Sequence, residues 1–212
     1  MPTVTCGVFQ ASDTAAVVNL VARVFSSAEP PAVAMGLTQA EMERFVSLLC
    51  PAAAADGLTI VARALDTNQI VGVMLTDDFG APPALDLSEI SEKFVPILAM
   101  LEGLDEQYRK GRSIMAGQYL HLFMLAVDTN FVGHGIAQQL VTACLSNATQ
   151  KGYTHAVTEA TGVVSQRVFR KLGFTDRANV TYADYRYEGR PVFASIRDHT
   201  ATILMDRPMI YS

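Results

Sequence analysis

The chain has 212 residues, enough for one substantial α/β domain, and it contains no low-complexity linker that would separate two domains. Half of the residues are hydrophobic and 17% are charged, with a formal charge of -5 from 16 Lys and Arg against 21 Asp and Glu. This acidic balance disfavours nucleic acid as a partner, because neutralising phosphates needs a basic face. We predict a single domain over residues 1–212 that is a monomer or a homodimer.

The N-terminus lacks a basic segment followed by an apolar stretch, and no apolar run approaches the ~20 residues that cross a bilayer. The three cysteines, Cys6, Cys50 and Cys144, have no spacing typical of a zinc site, and their odd number argues against a disulfide framework. We therefore predict a cytoplasmic protein with reduced thiols, no metal and no membrane partner.

The first part of the chain predicts one strand, two helices and a hairpin. Apolar periodicity predicts a strand over 3–9 and then a helix that begins at Ser12 or Asp13 and ends before Pro30. The capping box Thr38–Glu41 predicts the start of a second helix, which ends at Pro51. Strands over 58–64 and 69–76 follow and form a hairpin. Residues 77–87 form a loop. Residues 88–108 have helical periodicity, and Pro96 and Gly103 within them predict a kink or a split.

The second half of the chain predicts alternating strands and helices. After a polar connection over 109–117, the apolar run 119–127 is typical of a buried central strand. The pattern then predicts an amphipathic helix that begins at 136 and ends at Lys151-Gly152. A strand over 154–159 and a helix over 163–172 follow. The last predicted elements are two antiparallel strands over 180–187 and 201–205.

Two glycines, Gly133 and Gly135, lie between the central strand and the helix that follows it. Glycine lets backbone amides approach a ligand without interference from Cβ, and the start of a helix presents unpaired N-H groups and its positive dipole end. This arrangement predicts an anion site. The alternative is that the glycines only make a turn.

The sequence VDTNFVGHGIAQQLV (127–141), followed by SQRVFRKLGF (165–174), resembles the GNAT superfamily of N-acetyltransferases. The resemblance implies an α/β (α+β) fold with a mixed central sheet of about six or seven strands flanked by helices on both faces. Asn130 stands where the family's glycine turn usually carries Arg or Gln, and Val132 replaces the arginine common before the first glycine. Phe169 replaces the tyrosine that serves many members as a general acid.

Within the superfamily, the chain resembles the arylalkylamine N-acetyltransferases. LHLFMLAV (120–127) and SLLCP (47–51) are similar to the serotonin-acetylating enzymes, whereas the Glu29-Pro30 pair and YADYRYEGRPVF (182–193) are similar to the dopamine branch. The resemblance implies acetyl-CoA as cosubstrate and a small primary amine as acceptor, with aromatic ethylamines as the leading class. Polyamines or amino acids as acceptors, or a non-catalytic acyl-CoA-binding regulatory domain, are the alternatives.

The same resemblance implies where acetyl-CoA binds. Its pantetheine arm is expected to lie beside the central strand in the manner of an added strand, and its diphosphate at the glycine turn. The implied cofactor-binding residues are Leu125, Ala126, Val127, Val132, Gly133, His134, Gly135, Ile136, Ala137 and Ser165. Cys144 lies on a helix face with core residues, which favours direct attack in a ternary complex over a covalent route.

Amide formation from a thioester requires a neutral amine, whereas an alkylamine with a pKa near the lysine value of about 10.4 is almost wholly protonated at neutral pH. The resemblance to the dopamine enzymes implies that Glu29 is the base. Burial beside Phe25 and Pro30 would raise its pKa from about 4.3 and improve its basicity. The alternative is a solvated acid before a Pro-Pro helix stop.

His121 stands at the place of the first of two histidines that resemblance to the serotonin enzymes implies are catalytic, and Phe123 occupies the second place. A histidine with a pKa near 6.5 can accept a proton at neutral pH or pass it along a water chain. The alternative is a hydrogen-bonded core histidine. Thr161 and Ser165 correspond to a serine pair that the resemblance implies helps the leaving thiolate or positions the amine. The alternative is that they cap the following helix.

Overall fold

The computed structural model describes residues 3–81 and 90–209, and its described elements form one mixed sheet with helices on both faces. The strands are β1 (Val4–Val8), β2 (Ile60–Ala64), β3 (Ile70–Asp78), β4 (Tyr119–Val127), β5 (His155–Ala160), β6 (Thr175–Thr181) and β7 (Ala201–Pro208). The helices are α1 (Thr14–Ala28), α2 (Pro30–Ala34), α3 (Gln39–Asp56), α4 (Val95–Arg109), α5 (Ile136–Gln150) and α6 (Val163–Lys171).

The sheet has seven strands in the order β1-β2-β3-β4-β5-β7-β6. Its neighbouring strands pair antiparallel except β4 and β5, which run parallel and are connected through α5. A parallel pair needs such a crossover, because a tight turn reverses the chain. The predicted mixed sheet of six or seven strands is confirmed.

Two apolar clusters cover the two faces of the sheet. One packs α1, α3 and α4 against residues such as Val73 and Met124. The other packs α5 and α6 against residues such as Val71 and Leu122 on the opposite face. Because side chains alternate across a strand, the apolar residues within 70–75 of β3 supply both clusters. The predicted layering of helices on both faces is confirmed.

Two prolines behave differently from the sequence prediction, whereas the first helix ends before Pro30 as predicted. The prediction that the second helix ends at Pro51 is wrong: α3 continues to Asp56 and ends at Gly57, which has a φ of 60°. The alanines after Pro51 favour helix strongly enough to continue it despite the missing N-H. Pro30 begins α2, and Pro96 lies in the first turn of α4, where a proline N-H has no intrahelical partner. The predicted kink at Pro96 is therefore absent from α4.

The closing strands are also shifted from their predicted positions. β6 is already complete at Thr181, because the N-H groups of Asp184 and Tyr185 both donate to the Thr181 carbonyl and turn the chain. Residues 182–187 are therefore not a strand. β3 extends through Asp78 into the segment predicted as a loop, and residues 82–87 of that segment lie outside the described residues. None of the described helices is long and apolar enough to cross a membrane.

Candidate active site

The strands β4 and β5 separate in the middle of the sheet. Their ladder ends at the pair His121 and Val157, and the next contact is the Thr158 hydroxyl, which donates to the Leu122 carbonyl over 2.8 Å. Phe123 is left unpaired opposite β3, because the register shifts between Met124 and Leu122. A bulge of this kind bends the strand and increases its twist. On its β5 edge the remainder of β4 therefore faces an opening, while its other edge stays paired with β3.

A cavity of about 770 Å³ fills this opening. One end lies between the glycine turn and α6, and the other end lies among apolar side chains of α1, α3 and α4. The second end is rich in aromatic residues: the Phe45 and Phe94 rings stack with centroids 4.6 Å apart, and the Phe123 ring meets Phe45 edge-on at 6.3 Å. A cavity that is polar at one end and aromatic at the other suits two different ligands.

The start of α5 retains the features of an anion site. Gly133 and Gly135 have φ values of 86° and 75°, a region that favours glycine, and no side chain caps the helix. The first N-H groups of α5 therefore lack an internal partner near the cavity. Most of the predicted cofactor-binding residues line the cavity, namely Leu125, Val127, Val132, Gly133, Gly135, Ile136, Ala137 and Ser165. Ala126 and His134 are not among the lining residues.

Lys171, at the end of α6, also lines the cavity. The sequence analysis did not select it, because it stands in a helix-end pattern where a lysine is expected for helix stability alone. A lysine in the wall of the same cavity as the glycine turn suits a diphosphate, since its ammonium group adds a positive charge to the backbone donors. The uncapped amides of α5 and this cation fit the diphosphate of a coenzyme A thioester.

Glu29 lies between α1 and α2 and lines the cavity. Its Oε2 accepts a hydrogen bond from the Ala32 N-H over 2.6 Å and thereby caps α2, and the Thr161 side chain forms a second hydrogen bond with the carboxyl group. Burial raises the pKa of Glu29 to about 7 against the lowering effect of the two hydrogen bonds. A carboxyl group with this pKa is ionised in about half of the molecules at neutral pH and is a stronger base than ordinary glutamate.

Thr161 is held in place by residues from the far end of the chain. Its carbonyl accepts a hydrogen bond from the Tyr182 hydroxyl over 2.6 Å, and the Thr202 hydroxyl in turn donates to Tyr182 over 2.9 Å. Tyr182 is buried and packs edge-on against the Phe193 ring. The threonine that contacts Glu29 is therefore fixed by β7 and by the segment after β6.

Ser165 and His199 meet at the start of α6. The Ser165 hydroxyl donates to the Gly162 carbonyl over 2.8 Å and accepts the Gly162 N-H over 3.4 Å, the second being the bond of a capping residue, and Ser165 also lines the cavity. His199 lines the same wall, and its Nδ1 accepts the Val163 N-H over 3.2 Å. Because Nδ1 accepts this bond, a neutral His199 ring carries its proton on Nε2. No sequence pattern points to His199, because it stands in an irregular segment far along the chain from the motifs.

His121 lies between two carboxylates behind the aromatic end of the cavity, and it is not among the lining residues. Its Nδ1 is 2.8 Å from Asp77 Oδ1, and its Nε2 is 2.7 Å from Glu159 Oε2. Burial opposes protonation, but the charges and hydrogen bonds of Glu159 and Asp77 outweigh burial and hold the pKa of His121 well above 6.5. At neutral pH this imidazole is a cation and has no free nitrogen with which to accept a proton.

Glu159 and Asp105 form a carboxyl pair that the sequence analysis did not anticipate. Glu159 Oε1 and Asp105 Oδ1 are buried and have no hydrogen-bond donor among the described residues. Burial, followed by the negative charge of Glu159, raises the pKa of Asp105 to about 8. A proton therefore remains on Asp105 at neutral pH.

Cys144 is fully buried in α5, and burial raises the pKa of its thiol well above the usual range. A thiol of this kind is a poor nucleophile at neutral pH, in keeping with the prediction of direct attack. Within residues 3–81 and 90–209, no group of three or more His, Cys, Asp or Glu side chains is placed to hold a metal ion.

Comparison with protein families shows one match over most of the chain. Residues 24–174 match the family described as the acetyltransferase (GNAT) family. The matched range contains the separated strands β4 and β5, the glycine turn and Glu29. It therefore includes both ends of the cavity.

Solved structures of similar shape cover nearly the whole chain. The C-terminal condensation domain of Ebony, in complex with β-alanyl-dopamine, superposes with a TM-score of 0.90 at 16% identity over 98% of this chain and 100% of that domain. Arylalkylamine N-acetyltransferase 2 from Aedes aegypti gives 0.80 at 24% identity over 98% and 100%. The polyamine N-acetyltransferase of Drosophila melanogaster, which forms N-acetylagmatine, gives 0.74 at 19% identity over 97% and 100%. At these identities the likeness shows a common fold.

Proposed function

Because this chain belongs to the GNAT family of acetyltransferases, whose members use acetyl-CoA, we propose that it acetylates the primary amine of a small arylalkylamine. The observation that carries the proposal is the cavity, which joins the uncapped start of α5 to a half-buried glutamate of raised pKa. One end suits the diphosphate of the thioester, and the other end suits an amine that must lose a proton. Both substrates meet where β4 and β5 separate.

Glu29 is the base in this proposal. Its carboxylate takes a proton from the substrate ammonium, directly or through water, and the neutral nitrogen then attacks the thioester carbonyl. The C–S bond breaks as the amide forms, and the leaving thiolate of coenzyme A takes up the second proton that the nitrogen loses. The hydrogen bond from Thr161 orients the carboxyl group, while burial keeps its pKa close to the working pH. His121 is not the first proton acceptor in this scheme, because its ring is already protonated between Asp77 and Glu159. The uncapped amides of α5 hold the diphosphate.

The aromatic end of the cavity favours an arylalkylamine as acceptor. Phe45, Phe94 and Phe123 form a cluster large enough to pack against a substrate ring, and such ring pairs add to the free energy gained from burial. Solved structures of similar fold include enzymes named for arylalkylamines and for polyamines or agmatine. A polyamine would need an acidic wall along its length, whereas most of this wall is apolar.

The direct test is release of free coenzyme A by the purified protein with acetyl-CoA and a panel of phenethylamine, tyramine, dopamine, tryptamine and spermidine. We expect turnover with the aromatic amines and weak turnover with spermidine. Strong turnover with spermidine alone would assign the polyamine class. Binding of coenzyme A by calorimetry without turnover of any amine would instead indicate a non-catalytic acyl-CoA-binding domain.

The variant Glu29→Gln tests the base in the same assay. General-base catalysis contributes about 10²–10⁴-fold, so we expect kcat to fall at least about 100-fold while the affinity for coenzyme A changes little. Glu92→Gln, which removes an exposed carboxylate, is the matched control and is expected to behave as wild type. Unchanged turnover in Glu29→Gln would reject Glu29 as the base.

A larger acyl donor is the second candidate, because the Ebony domain that superposes with a TM-score of 0.90 was solved with β-alanyl-dopamine, the amide of an amino acid and an aromatic ethylamine. A cavity of about 770 Å³ has room for more than an acetyl group. The assay is therefore repeated with β-alanyl-CoA beside acetyl-CoA. A higher kcat/KM with β-alanyl-CoA would assign aminoacyl transfer instead of acetyl transfer, with the same acceptor class.

A further inference from the structure

Asp128 is a buried acid between β4 and the glycine turn, and the proposed chemistry assigns it no role. It is 6% exposed and directly follows the last residue of β4. The residues from 129 to 135 after it are exposed or half-buried. The chain therefore leaves the core at Asp128 and returns to it at Ile136, the buried first residue of α5.

Each polar group of Asp128 forms a hydrogen bond. Its N-H donates to the Val71 carbonyl over 2.8 Å, and its carbonyl accepts the Phe131 N-H over 2.8 Å. Its Oδ1 accepts the Asn130 N-H over 2.9 Å, and its Oδ2 accepts the Arg23 guanidinium over 2.7 Å. Two of these bonds hold the first residues of the connection to α5, and the other two join it to β3 and to α1.

Arg23 compensates the charge of this carboxylate. Burial opposes ionisation of Asp128, but the hydrogen bond from the Asn130 N-H and the interaction with Arg23 hold its pKa below the usual range. Asp128 is therefore ionised at neutral pH. A negative charge shortly before the glycine turn would oppose a diphosphate there, and the ion pair with Arg23 offsets that charge.

The glycine turn itself is held by little packing. A Cβ placed on Gly133 would meet no atom within 4 Å. Glycine loses more conformational freedom on ordering than other residues, so holding Gly133 and Gly135 in one conformation costs free energy. The donors of a binding site must nevertheless be held within about 0.5 Å of their working positions. The ends of the connection therefore have to hold the turn, and Asp128 is the buried end next to β4.

We propose that Asp128 is a positioning residue, held by Arg23, that fixes the glycine turn in the conformation in which the amides of residues 133–137 bind the diphosphate of the acyl donor. This inference rests on the proposed function, which places a coenzyme A thioester at this turn. Asp128 is not among the residues that line the cavity, so it acts through the backbone of the turn and not by contact with the ligand.

Asp13 supplies a matched control. It is 7% exposed, its Oδ2 accepts the Gln10 N-H over 3.0 Å, and its Oδ1 accepts the Arg63 guanidinium over 2.6 Å. Arg63 lies on β2, which β3 separates from β4, and neither Asp13 nor Arg63 lines the cavity. Loss of the Asp13 side chain therefore removes the same kinds of bond as loss of the Asp128 side chain, without a change at the glycine turn.

The test measures the dissociation constant of coenzyme A by calorimetry on the full chain, with thermal unfolding as the measure of stability. Residues that support the ligands of metal sites contribute about 10–100-fold to affinity, so for Asp128→Ala we expect coenzyme A to bind at least about tenfold more weakly. The KM for acetyl-CoA should rise with a smaller change in kcat. For Asp13→Ala we expect a similar loss of thermal stability and the coenzyme A affinity of the wild type. Unchanged affinity in folded Asp128→Ala, or equal losses of affinity in the two variants, would overturn the proposal.

Two milder variants separate the contacts of Asp128 and keep the proposal testable if Asp128→Ala does not fold. In Asp128→Asn the side-chain carbonyl can still accept the Asn130 N-H, so we expect most of the coenzyme A affinity to be retained. A loss as large as in Asp128→Ala would overturn the role of that bond. In Arg23→Gln we expect a smaller loss than in Asp128→Ala, because the Arg23 side chain is 40% exposed. Unchanged affinity there would overturn the part assigned to Arg23.

The failures of the positioning role and of the proposed function are distinguishable. If amines are acetylated and coenzyme A affinity does not depend on Asp128, the positioning role is rejected and the acetyltransferase assignment remains. If no amine is acetylated but coenzyme A binds in a way that depends on Asp128 and not on Asp13, the positioning role is supported and the proposed reaction is rejected.

Discussion

Glu29 combines the two properties that a general base needs, which are access to the cavity and a pKa near the working pH. Its carboxyl group is oriented by hydrogen bonds from Thr161 and from the Ala32 N-H. The first bond depends on residues more than 130 positions later in the chain. The base is therefore a product of the tertiary structure and not of its local segment.

The pKa of Glu29 predicts the acidic limb of the pH profile. Only the ionised carboxylate accepts a proton, so kcat/KM is expected to rise with pH and to level off above a midpoint of about 7. An ordinary glutamate with a pKa of about 4.3 would place this limb far below neutrality. The measurement is kcat/KM for tyramine between pH 5 and pH 9. A profile that is flat from pH 5 to pH 8 would contradict this role.

Tyr182 is expected to act on Glu29 through Thr161. In Tyr182→Phe the Thr161 carbonyl loses its donor, and weakening of the Thr161 bond to Glu29 removes an effect that lowers the pKa of the carboxyl group. The midpoint of the acidic limb should therefore move upward. Tyr185→Phe, which removes a nearby hydroxyl that bonds the Pro96 carbonyl, is the control. An unchanged midpoint in folded Tyr182→Phe would show that Tyr182 has only a structural role.

At the scale of single residues, the sequence predicts part of the candidate site but does not predict all of its residues. Glu29, Thr161 and Ser165 were selected from resemblance, and the structure places all three on the cavity wall. Their roles stay predictions. The carboxyl pair of Asp105 and Glu159 was not anticipated, because its partners lie more than 50 positions apart and no periodicity links a residue of α4 to one of β5.

At the scale of elements, the turn before α5 determines how the acyl donor binds. Gly135 has a φ of 75° and stands at the start of the helix, so a branched side chain there strains the turn and covers the amides. We expect Gly135→Val to raise the KM for acetyl-CoA at least about tenfold with a smaller change in kcat. Calorimetry with coenzyme A gives the affinity independently.

Gly152 supplies a matched control for this substitution. It follows the other end of α5, has a φ of 94°, and a Cβ added there meets no atom within 4 Å. Gly152→Val therefore strains the backbone to a similar extent without approaching the cavity. If Gly152→Val raised the KM for acetyl-CoA as much as Gly135→Val, general destabilisation would explain both effects and the anion site would be rejected.

The elements themselves were largely predictable, because apolar periodicity decides helix or strand wherever one face is buried. β4 and α5 lie close to where the pattern places them. Prolines were the main source of error, since a proline is compatible with the first turn of a helix and is sometimes tolerated later in a helix. Pro96 and Pro51 illustrate the two cases.

At the scale of the whole molecule, the site exists because the adjacent strands β4 and β5 separate in the middle of a seven-stranded sheet. The helices on each face bury the strands on either side of the gap, and the cavity passes between the two apolar clusters. The family resemblance implied the mixed sheet with helices on both faces, but the separation of β4 and β5 was not part of that prediction. The sequence alone does not give the volume or the aromatic lining of the acceptor end, because α3, α4 and the bulge at Phe123 form it together.

The most direct test of the proposed function is a crystal structure of the protein with coenzyme A and tyramine. We expect the diphosphate at the amides of residues 133–137, the thiol in the gap between β4 and β5, and the tyramine nitrogen within hydrogen-bond reach of Glu29, directly or through one water. Coenzyme A bound outside this cavity, or a tyramine nitrogen remote from Glu29, would contradict the proposed function.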